Sequence, residues 1–377
     1  MRFYATMLQG SEEYSRLGSY DVTDKLKFST QLHGGFGTAT FEISVPRLRG
    51  SMLVHQFIGA ECYVYDEYGR NVYEGRVIDA DKSGDVVKLS VSGFYADGKH
   101  IKVPTLLWQD VGTTTGDVIR DCIALVPSWT NTNGIYVHYA NVVVGPQDTD
   151  EEIKVNDMIE RMLKLGYRTD NLAPAYFAIY QDKIPRLKIE QYSSYPNFFV
   201  YADSPSGNAS SGLTMERLYN KVYVLVDDPA EDGVGPTLFP TPAEDAASQQ
   251  RYGVREGVIN AGEYGEDLGL DLRDLALEKY AYPQQSFGLQ ISGMVRTNGG
   301  SYVPNYVIKA GDTLVVSNMD EMAALSFRSG DPTSTLSGFV ITTQYDASKG
   351  TMKLDLSMGD RKMDYLLSRL GLEGGLS

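Results

Sequence analysis

The sequence predicts a mainly β fold with α+β insertions: two related small β-barrels and a mixed α+β middle domain. Residues 75–92 have the pattern of a β-hairpin, with a polar turn and an alternating return strand. A like pattern at residues 338–357 also begins with Gly-x-Val-Ile and is two residues longer, which fits in the turn. Between them the apolar spacing becomes helical. We therefore expect two related β-domains rather than one sheet, with chance similarity between hairpins as the alternative.

The composition indicates an acidic globular protein. The chain has 377 residues, a formal net charge of −15 and a pI near 4.8. This length suits two or three domains, and the acidity argues against a basic surface that grips nucleic acid. Cys62 and Cys122 both lie in apolar patterns, which favours buried thiols over a disulfide. No signal-peptide pattern and no apolar run of about 18 residues occurs, so no membrane span is predicted.

Residues 1–105 are predicted to form the first β-barrel. Phe41, Ile43 and Val45 alternate along one strand, which Pro46 would end. The next strand turns through a DEYG tetrapeptide, in which glycine supplies a positive φ. Short strands joined by tight turns are typical of a small barrel or sandwich.

Residues 106–212 are predicted to form the α+β middle domain. Apolar residues at helical spacing, acids in the first turn and a Pro or Gly after the end favour two helices. A small, polar stretch without periodicity, residues 203–212, is predicted to be a linker. The predicted elements are helices over 116–126 and 151–165 and strands over 135–144, 176–180 and 187–191.

Residues 213–377 are predicted to form the second β-barrel with insertions. The segment opens with a strand, LYNKVYVLVDD, whose two faces are largely apolar, so we expect burial on both sides. A Pro-, Ala- and acid-rich surface loop over 229–250 and a helix over 267–279 interrupt the β pattern. The remaining predicted elements are strands around 289–291, over 303–308 and over 313–317, the second hairpin, and a closing helix over 360–370.

No catalytic or cofactor-binding residues are predicted, so we expect no enzymatic activity and no cofactor. The sequence has no G-x-S-x-G elbow and no Walker loop. Cys122 lies on an apolar helix face, which favours an inert thiol over a peptidase nucleophile. Structural roles are expected for the histidines, which occur outside known zinc-binding patterns. These are His33, His55, His100 and His138.

One acidic cluster is similar to the start of a calcium-binding loop. Its oxygen-bearing side chains alternate in the way that such a loop requires, but position 12 is Ser90 rather than a bidentate glutamate. A plain polar hairpin tip is therefore favoured, and no metal site is predicted. The residues concerned are Asp79, Asp81, Ser83 and Asp85.

Several stretches taken together resemble the hub proteins of bacteriophage tail tips and baseplates, which are related to the hub part of type VI secretion spike proteins. The first barrel carries YVYDEYGRNVYEGRV and a hairpin that ends in LSVSGFYADGKH. The last segment carries LYNKVYV, YVIKAGDTLVV, GFVITTQYD and a final DRKMDYLLSRL. The similarity lies in the order and character of these stretches and brings no catalytic residues with it.

The resemblance implies a structural hub in the virion, at the tail tip or baseplate. Such hubs have two related barrels per chain, so that three chains form a ring that joins a hexameric tail tube to a trimeric spike or fibre and lets DNA pass. The implied partners are two further copies in a homotrimer, the tail tube or distal tail protein, the spike or fibre and the tape-measure protein. DNA would pass without specific binding, and Asp79 and Asp85 are candidates for an acidic channel lining.

Two other functions remain as alternatives. A tail-associated cell-wall hydrolase would require a catalytic constellation, which the sequence does not display. A carbohydrate-binding receptor module would suit the 26 tyrosines, but tyrosine serves subunit interfaces equally well.

Overall fold

Short strands dominate the N-terminal part of the chain, which confirms the mainly β prediction. These strands are β1 (Phe3–Gln9), β2 (Ser15–Val22), β3 (Lys27–Gln31), β4 (Gly34–Ser44), β5 (Glu61–Asp66), β6 (Asn71–Ser83) and β7 (Val86–Ser92). The computed structural model describes residues 2–9, 15–23, 25–45, 54–104, 108, 111–130, 153–165, 175–189, 196–201, 207–216, 218–226, 237–238, 241–262, 270, 273–274, 276–278, 280–317 and 335–357.

Alternation along these strands places one face in a core, as the sequence predicts. Phe41 and Ile43 of β4 are buried, and Cys62 and Val64 of β5 are completely so. The predicted turn after β5 forms, and Gly69 adopts a φ of +75° there, a conformation that glycine tolerates best.

The middle segment contains α1 (Thr115–Ala124), α2 (Val155–Leu165) and a hairpin of β8 (Ala175–Ile179) and β9 (Pro185–Ile189). A capping box begins α1: the Thr114 hydroxyl accepts the Asp117 N–H at 3.2 Å, and the Asp117 carboxylate accepts the Thr114 N–H at 3.0 Å. Both helices bury one face against Trp129 and Phe177. No helix in the described part of the chain is long and apolar enough to cross a membrane. The strand predicted over 135–144 lies outside the described residues.

The linker prediction for residues 203–212 is wrong in its second half. After β10 (Phe198–Tyr201), the chain forms β11 (Gly207–Thr214), an eight-residue strand of glycine and small or polar residues for most of its length. Every residue of β11 has a partner on an antiparallel strand later in the chain. Pairing with that neighbour, rather than side-chain alternation, therefore defines this strand.

A small separate sheet is inserted next. It consists of β12 (Lys221–Val226), β13 (Thr237–Leu238), β14 (Ala243–Glu244) and β15 (Glu256–Gly262), with α3 (Ala246–Tyr252) before β15. Val222 and Val224 on one face of β12 are buried, but Tyr223 and Leu225 on the other are only half-buried. The prediction of two buried faces is therefore half right. Part of the 229–250 loop is α3. Of the helix predicted over 267–279, the structure describes residues 270, 273–274 and 276–278, and these are helical.

Six strands follow: β16 (Gln284–Ser292), β17 (Met294–Thr297), β18 (Tyr302–Pro304), β19 (Thr313–Ser317), β20 (Leu336–Asp346) and β21 (Thr351–Ser357). The second predicted hairpin is formed by β20 and β21. The strand predicted over 303–308 ends early, because residues 305–307 form a 3-10 turn. The closing helix predicted over 360–370 lies outside the described residues.

The two hairpins lie in one continuous antiparallel sheet, contrary to the expectation of separate sheets. The neighbours run β6–β7–β4–β3–β20–β21–β16–β11. The sheets join because β20 extends beyond the residues that pair with β19 and pairs with β3 from the N-terminal segment. Residues of both chain ends also share one apolar core, in which the Phe3 ring lies 5.7 Å from that of Tyr306.

A buried polar contact links the same two parts of the chain. The Tyr306 hydroxyl donates to the Asp66 carboxylate at 2.8 Å, and the backbone N–H groups of Tyr68 and Arg70 donate to it at 2.9 Å. Burial raises the pKa of Asp66, but the hydrogen bonds from Arg70, Tyr306 and Tyr68 outweigh burial and hold that pKa below its usual value. The ionised carboxylate therefore stabilises the fold.

We predict that Tyr306→Phe lowers the free energy of unfolding by about 1–3 kcal/mol at neutral pH, because it leaves a buried carboxylate short of one donor. A folded-state pKa that is depressed contributes stability above the unfolded pKa and loses it as the pH falls through the folded value. The difference from wild type should therefore shrink below about pH 4.

Urea unfolding at several pH values measures this, with Tyr302→Phe as the matched control because Tyr302 is 63% exposed. Equal stability of the two variants at neutral pH, or a difference that grows in acid, would refute the role assigned to the Asp66 carboxylate.

Candidate functional site

The two hairpins are equivalent in register and not only in sequence pattern. In the first, Val77 pairs with Val91 and Asp79 with Ser90, so that Ile78 is an extra, bulged residue. In the second hairpin Val340 pairs with Leu356 and Thr342 pairs with Asp355, so that Ile341 is the bulged residue. The shared Gly-x-Val-Ile lead thus places a β-bulge at the same point of both hairpins.

The strands that flank the hairpins repeat as well. Cys62 of β5 pairs with Gly75, as Leu314 of β19 pairs with Gly338. On the other side, Phe41 of β4 pairs with Leu89, as Leu289 of β16 pairs with Leu354.

Backbone hydrogen bonds before these strands are also repeated. The Gly59 N–H donates to the Val77 carbonyl at 2.9 Å, and the Gly311 N–H donates to the Val340 carbonyl at 2.8 Å. The chain therefore contains two like units, with β5, β6, β7, β4 and β3 in the first and β19, β20, β21, β16 and β11 in the second.

The two units meet where β20 pairs with β3. Residues 342–346 of β20 lie opposite residues 27–31 of β3 in antiparallel register. The buried hydroxyls of Thr343 and Thr30 are 2.7 Å apart, and the Lys27 ammonium lies 3.2 Å from the Asp346 carboxylate. We call this contact the internal junction. It joins two units side by side through backbone hydrogen bonds.

The sheet ends in two edges that have no strand partner among the described residues. One edge is residues 79–83 of β6, which extend beyond the part of β6 that pairs with β5. The other is the side of β11 that faces away from β16. The β6 edge is largely exposed, whereas the matching stretch of β20 buries Thr343 and Tyr345 in the internal junction.

The solvent-facing side of the eight-stranded sheet is polar, and the strand residues there include more acids than bases, with Lys25 and Lys349 beside the strands. Buried and exposed residues alternate along each strand for which burial is described, and a shallow pocket on this side lies over the internal junction. A hydrogen bond from Ser348, supported by Lys27, holds the pKa of Asp346 below its usual value. The charged residues on this side are Glu42, Asp79, Asp81, Asp346 and Asp355 against Lys27, Lys88 and Lys353.

The acidic cluster singled out in the sequence belongs to this sheet. Asp79, Asp81 and Ser83 lie along β6, so the turn is only Gly84 and Asp85, with Gly84 at a φ of +62°. A calcium loop wraps its ligands around an ion, whereas these side chains project from one edge strand. No group of three or more potential metal ligands occurs in the part of the chain that the structure describes.

The described histidines and cysteines form no group of three or more potential metal ligands. The His33 Nδ1 accepts the Phe177 N–H at 3.1 Å, which ties β8 to the end of β3. Cys62 and Cys122 are free and buried, and burial raises the pKa of both thiols, so that neither is a ready nucleophile. His138 lies outside the described residues.

A buried charged cluster that the sequence did not reveal connects the middle segment to β6. The Glu74 carboxylate accepts the N–H groups of Asp182 at 3.0 Å and Lys183 at 3.3 Å, and burial raises its pKa. Nearby, burial lowers the pKa of the Lys309 side chain to about 8. The backbone N–H of Lys309 donates to the Asp312 carboxylate at 2.8 Å. The hydrogen bonds of Glu74 fix the β8–β9 turn against β6.

Comparison with solved structures identifies the architecture. A tail protein from Neisseria meningitidis matches with a TM-score of 0.58 at 14% identity, covering 96% of this chain and 99% of that one. The 43 kDa tail protein of prophage MuSo2 from Shewanella oneidensis matches with a TM-score of 0.58 at 14% identity, covering 97% and 100%. The chain has the fold of phage tail proteins. The expected resemblance is therefore confirmed at the level of fold.

The fold also matches a chain in a complex of two named proteins. A chain of the Francisella PdpA–VgrG complex matches with a TM-score of 0.54 at 10% identity, and the match covers 94% of this chain and 57% of that longer one. The sequence matches no family model and no curated protein.

We predict that chelation with EDTA leaves the melting temperature unchanged, because the acidic residues of β6 lack a bidentate ligand and lie along a strand. Differential scanning fluorimetry measures this, with Asp79→Asn and Asp81→Asn as controls that remove the candidate ligands. A melting temperature that rises with calcium in wild type but not in either variant would establish a site and contradict the prediction.

Proposed function

We propose that the chain is the structural hub of a phage tail tip or baseplate. It would form a homotrimeric ring in the virion that joins a hexameric tail tube to a trimeric spike or fibre. The observation that carries the proposal is the internal repeat, because three copies of a chain with two like units present six like units to a six-fold partner. The likeness in fold to phage tail proteins supports the same role.

The partners follow from such a position. The tail tube or distal tail protein would contact one side of the ring, and the spike or fibre would contact the other. The tape-measure protein would end in the channel, and DNA would pass through it. A chain with the same fold occurs in a complex that contains VgrG, which favours a partner of the spike class.

A structural role also suits the chemistry of the described residues. The hydrogen bonds of Glu74 and Asp66 hold segments of the fold together, and the cysteines have raised pKa values. Neither the cell-wall hydrolase nor the carbohydrate-binding module gains a supporting group of residues in the described part. A lysis-zone assay and a glycan array test these two alternatives.

We predict that native mass spectrometry of the purified full chain detects a trimer and that negative-stain electron microscopy shows rings with a central opening. Two like units per chain give the rings a six-lobed outline because each unit occupies one sixth of the circle. Rings of another order would contradict the proposal, as would a protein that stays monomeric up to its solubility limit.

The proposed channel surface is the polar side of the eight-stranded sheet. The carboxylates of its strands, which outnumber the lysines of the same strands, would repel the phosphates of DNA, so that the duplex passes without being held. Lys27 on this side is already paired with Asp346, which weakens its attraction for the phosphates of DNA.

We predict that Asp81→Lys combined with Asp355→Lys makes the ring bind duplex DNA, with an affinity that falls steeply as salt rises. Both carboxylates are exposed on the polar side of the sheet. The matched control is Glu67→Lys with Asp274→Lys, which makes the same charge change at exposed positions outside this sheet. Gel-shift titrations at several salt concentrations compare the two. Equal DNA affinity of both double variants would reject the channel assignment.

A further inference from the structure

We propose that copies of this chain join by pairing the open edge of β6 in one copy with the open edge of β11 in the next. The register would be the one that β20 and β3 use at the internal junction. The inference rests on the proposed function, since it names the surface through which the ring would close. The partner is therefore a second copy of this chain, and the contact is an antiparallel pairing of backbones.

The repeat supplies the template for this contact. Residues 79–83 of β6 correspond to residues 342–346 of β20, because both stretches directly follow the repeated bulge. Residues 210–214 of β11 correspond to residues 27–31 of β3. This second match follows from the adjoining strands, because Gly288 of β16 occupies the same place in the repeat as Thr40 of β4. Lys27 pairs with Thr40, and Ser210 pairs with Gly288.

The bulged isoleucines show what is missing at the open edge. Ile341 is only 4% exposed, in a cluster with Tyr176 and Phe339 against which Leu32 packs. Its counterpart Ile78 is 58% exposed, although the two residues occupy the same place in the repeat. An exposed isoleucine whose twin is buried at the internal junction indicates that Ile78 lies at a contact that a single chain lacks.

Backbone hydrogen bonding determines which alternate residues of each edge strand would bond to the partner strand. The Leu32 N–H donates to the Ile341 carbonyl at 3.1 Å, so alternate residues of β20 direct their backbone groups towards β3. The equivalent bond between copies would run from the Met215 N–H to the Ile78 carbonyl. In the single chain the Ala80 N–H on this edge is bonded by the Asp79 carboxylate at 2.9 Å. That bond satisfies an edge donor in the absence of a partner strand.

The two edges lie at opposite ends of the same sheet, so the contact is head-to-tail. Head-to-tail contacts build a closed ring when the rotation per copy divides a full turn. The charged residues Asp79, Asp81 and Lys82 on the β6 edge would oppose indiscriminate strand addition by other proteins. Pairing with β11, whose facing residues 210–214 are small or uncharged, brings no like charges together.

A cysteine cross-link tests the register directly. At the internal junction Thr342 lies opposite Gln31 in a pair without mutual hydrogen bonds, where side chains are closest. The equivalent pair between copies is Asp79 and Thr214. We expect that the double variant Asp79→Cys, Thr214→Cys forms a covalent trimer under mild oxidation, which dithiothreitol reverses. Non-reducing electrophoresis and intact-mass measurement detect it, and the native thiols do not interfere because both are buried.

The matched control moves one cysteine along the same strand. Asp79→Cys with Asn208→Cys displaces the second thiol by six residues, or about 20 Å along β11, so no trimer should form. Cross-linking of the control to the same extent as the in-register variant would overturn the proposed register, and so would an in-register variant that stays monomeric.

A second variant tests the contact without new covalent bonds. Ile78→Asp should weaken self-association by tenfold or more and leave the melting temperature of the monomer unchanged, because Ile78 is exposed in the single chain. Val254→Asp is the control, since Val254 is 61% exposed on the inserted part of the chain. Analytical ultracentrifugation compares the two, and equal association of both variants would overturn the role of Ile78.

The outcomes separate this inference from the proposed function. A wild-type trimer whose in-register cysteines do not cross-link would refute the β6–β11 contact and leave the hub standing. A wild-type chain that neither forms trimers nor cross-links would refute both. A covalent trimer from the in-register variant alone supports both.

Discussion

Backbone hydrogen bonding across the internal junction is the constraint on which the rest of the structure depends. Residues 342–346 of β20 bond to residues 27–31 of β3, and this pairing joins four strands of each unit into one eight-stranded sheet. The pairing also places Tyr345 in the shared core, where its ring lies 5.2 Å from that of Phe28. The strands that correspond to β20 and β3 in the repeat, β6 and β11, each leave one edge without a strand partner among the described residues, so the contact that joins the middle of the sheet is missing at its two ends.

Local pattern predicted the hairpins, the helices α1 and α2 and the mainly β class, because period-two and helical spacing report directly on one buried face. It missed β11, whose glycine and small residues follow no alternation and whose strand state depends on β16. It also placed the hairpins in separate sheets. Sheet order depends on pairing between residues more than 300 positions apart, such as Thr30 and Thr343, which no local pattern encodes.

The candidate site was predictable only in part. The sequence supplied the repeat and the acidic residues of β6, since Gly-x-Val-Ile and the Asp cluster are both visible in the printed chain. It could not reveal that Ile78 is exposed while Ile341 is buried, because the difference arises from what each strand meets in space. The buried Glu74 was hidden for the same reason: its partners, the N–H groups of Asp182 and Lys183, lie in a turn of the middle segment.

Cryo-electron microscopy of the assembled protein tests the central claim most directly. The account predicts a closed antiparallel sheet in which each of three copies contributes the eight strands described above, with Asp79 opposite Thr214 of the next copy and the polar side towards the bore. A ring in which residues 79–83 face solvent, or in which the two hairpins occupy unlike positions around the axis, would contradict it.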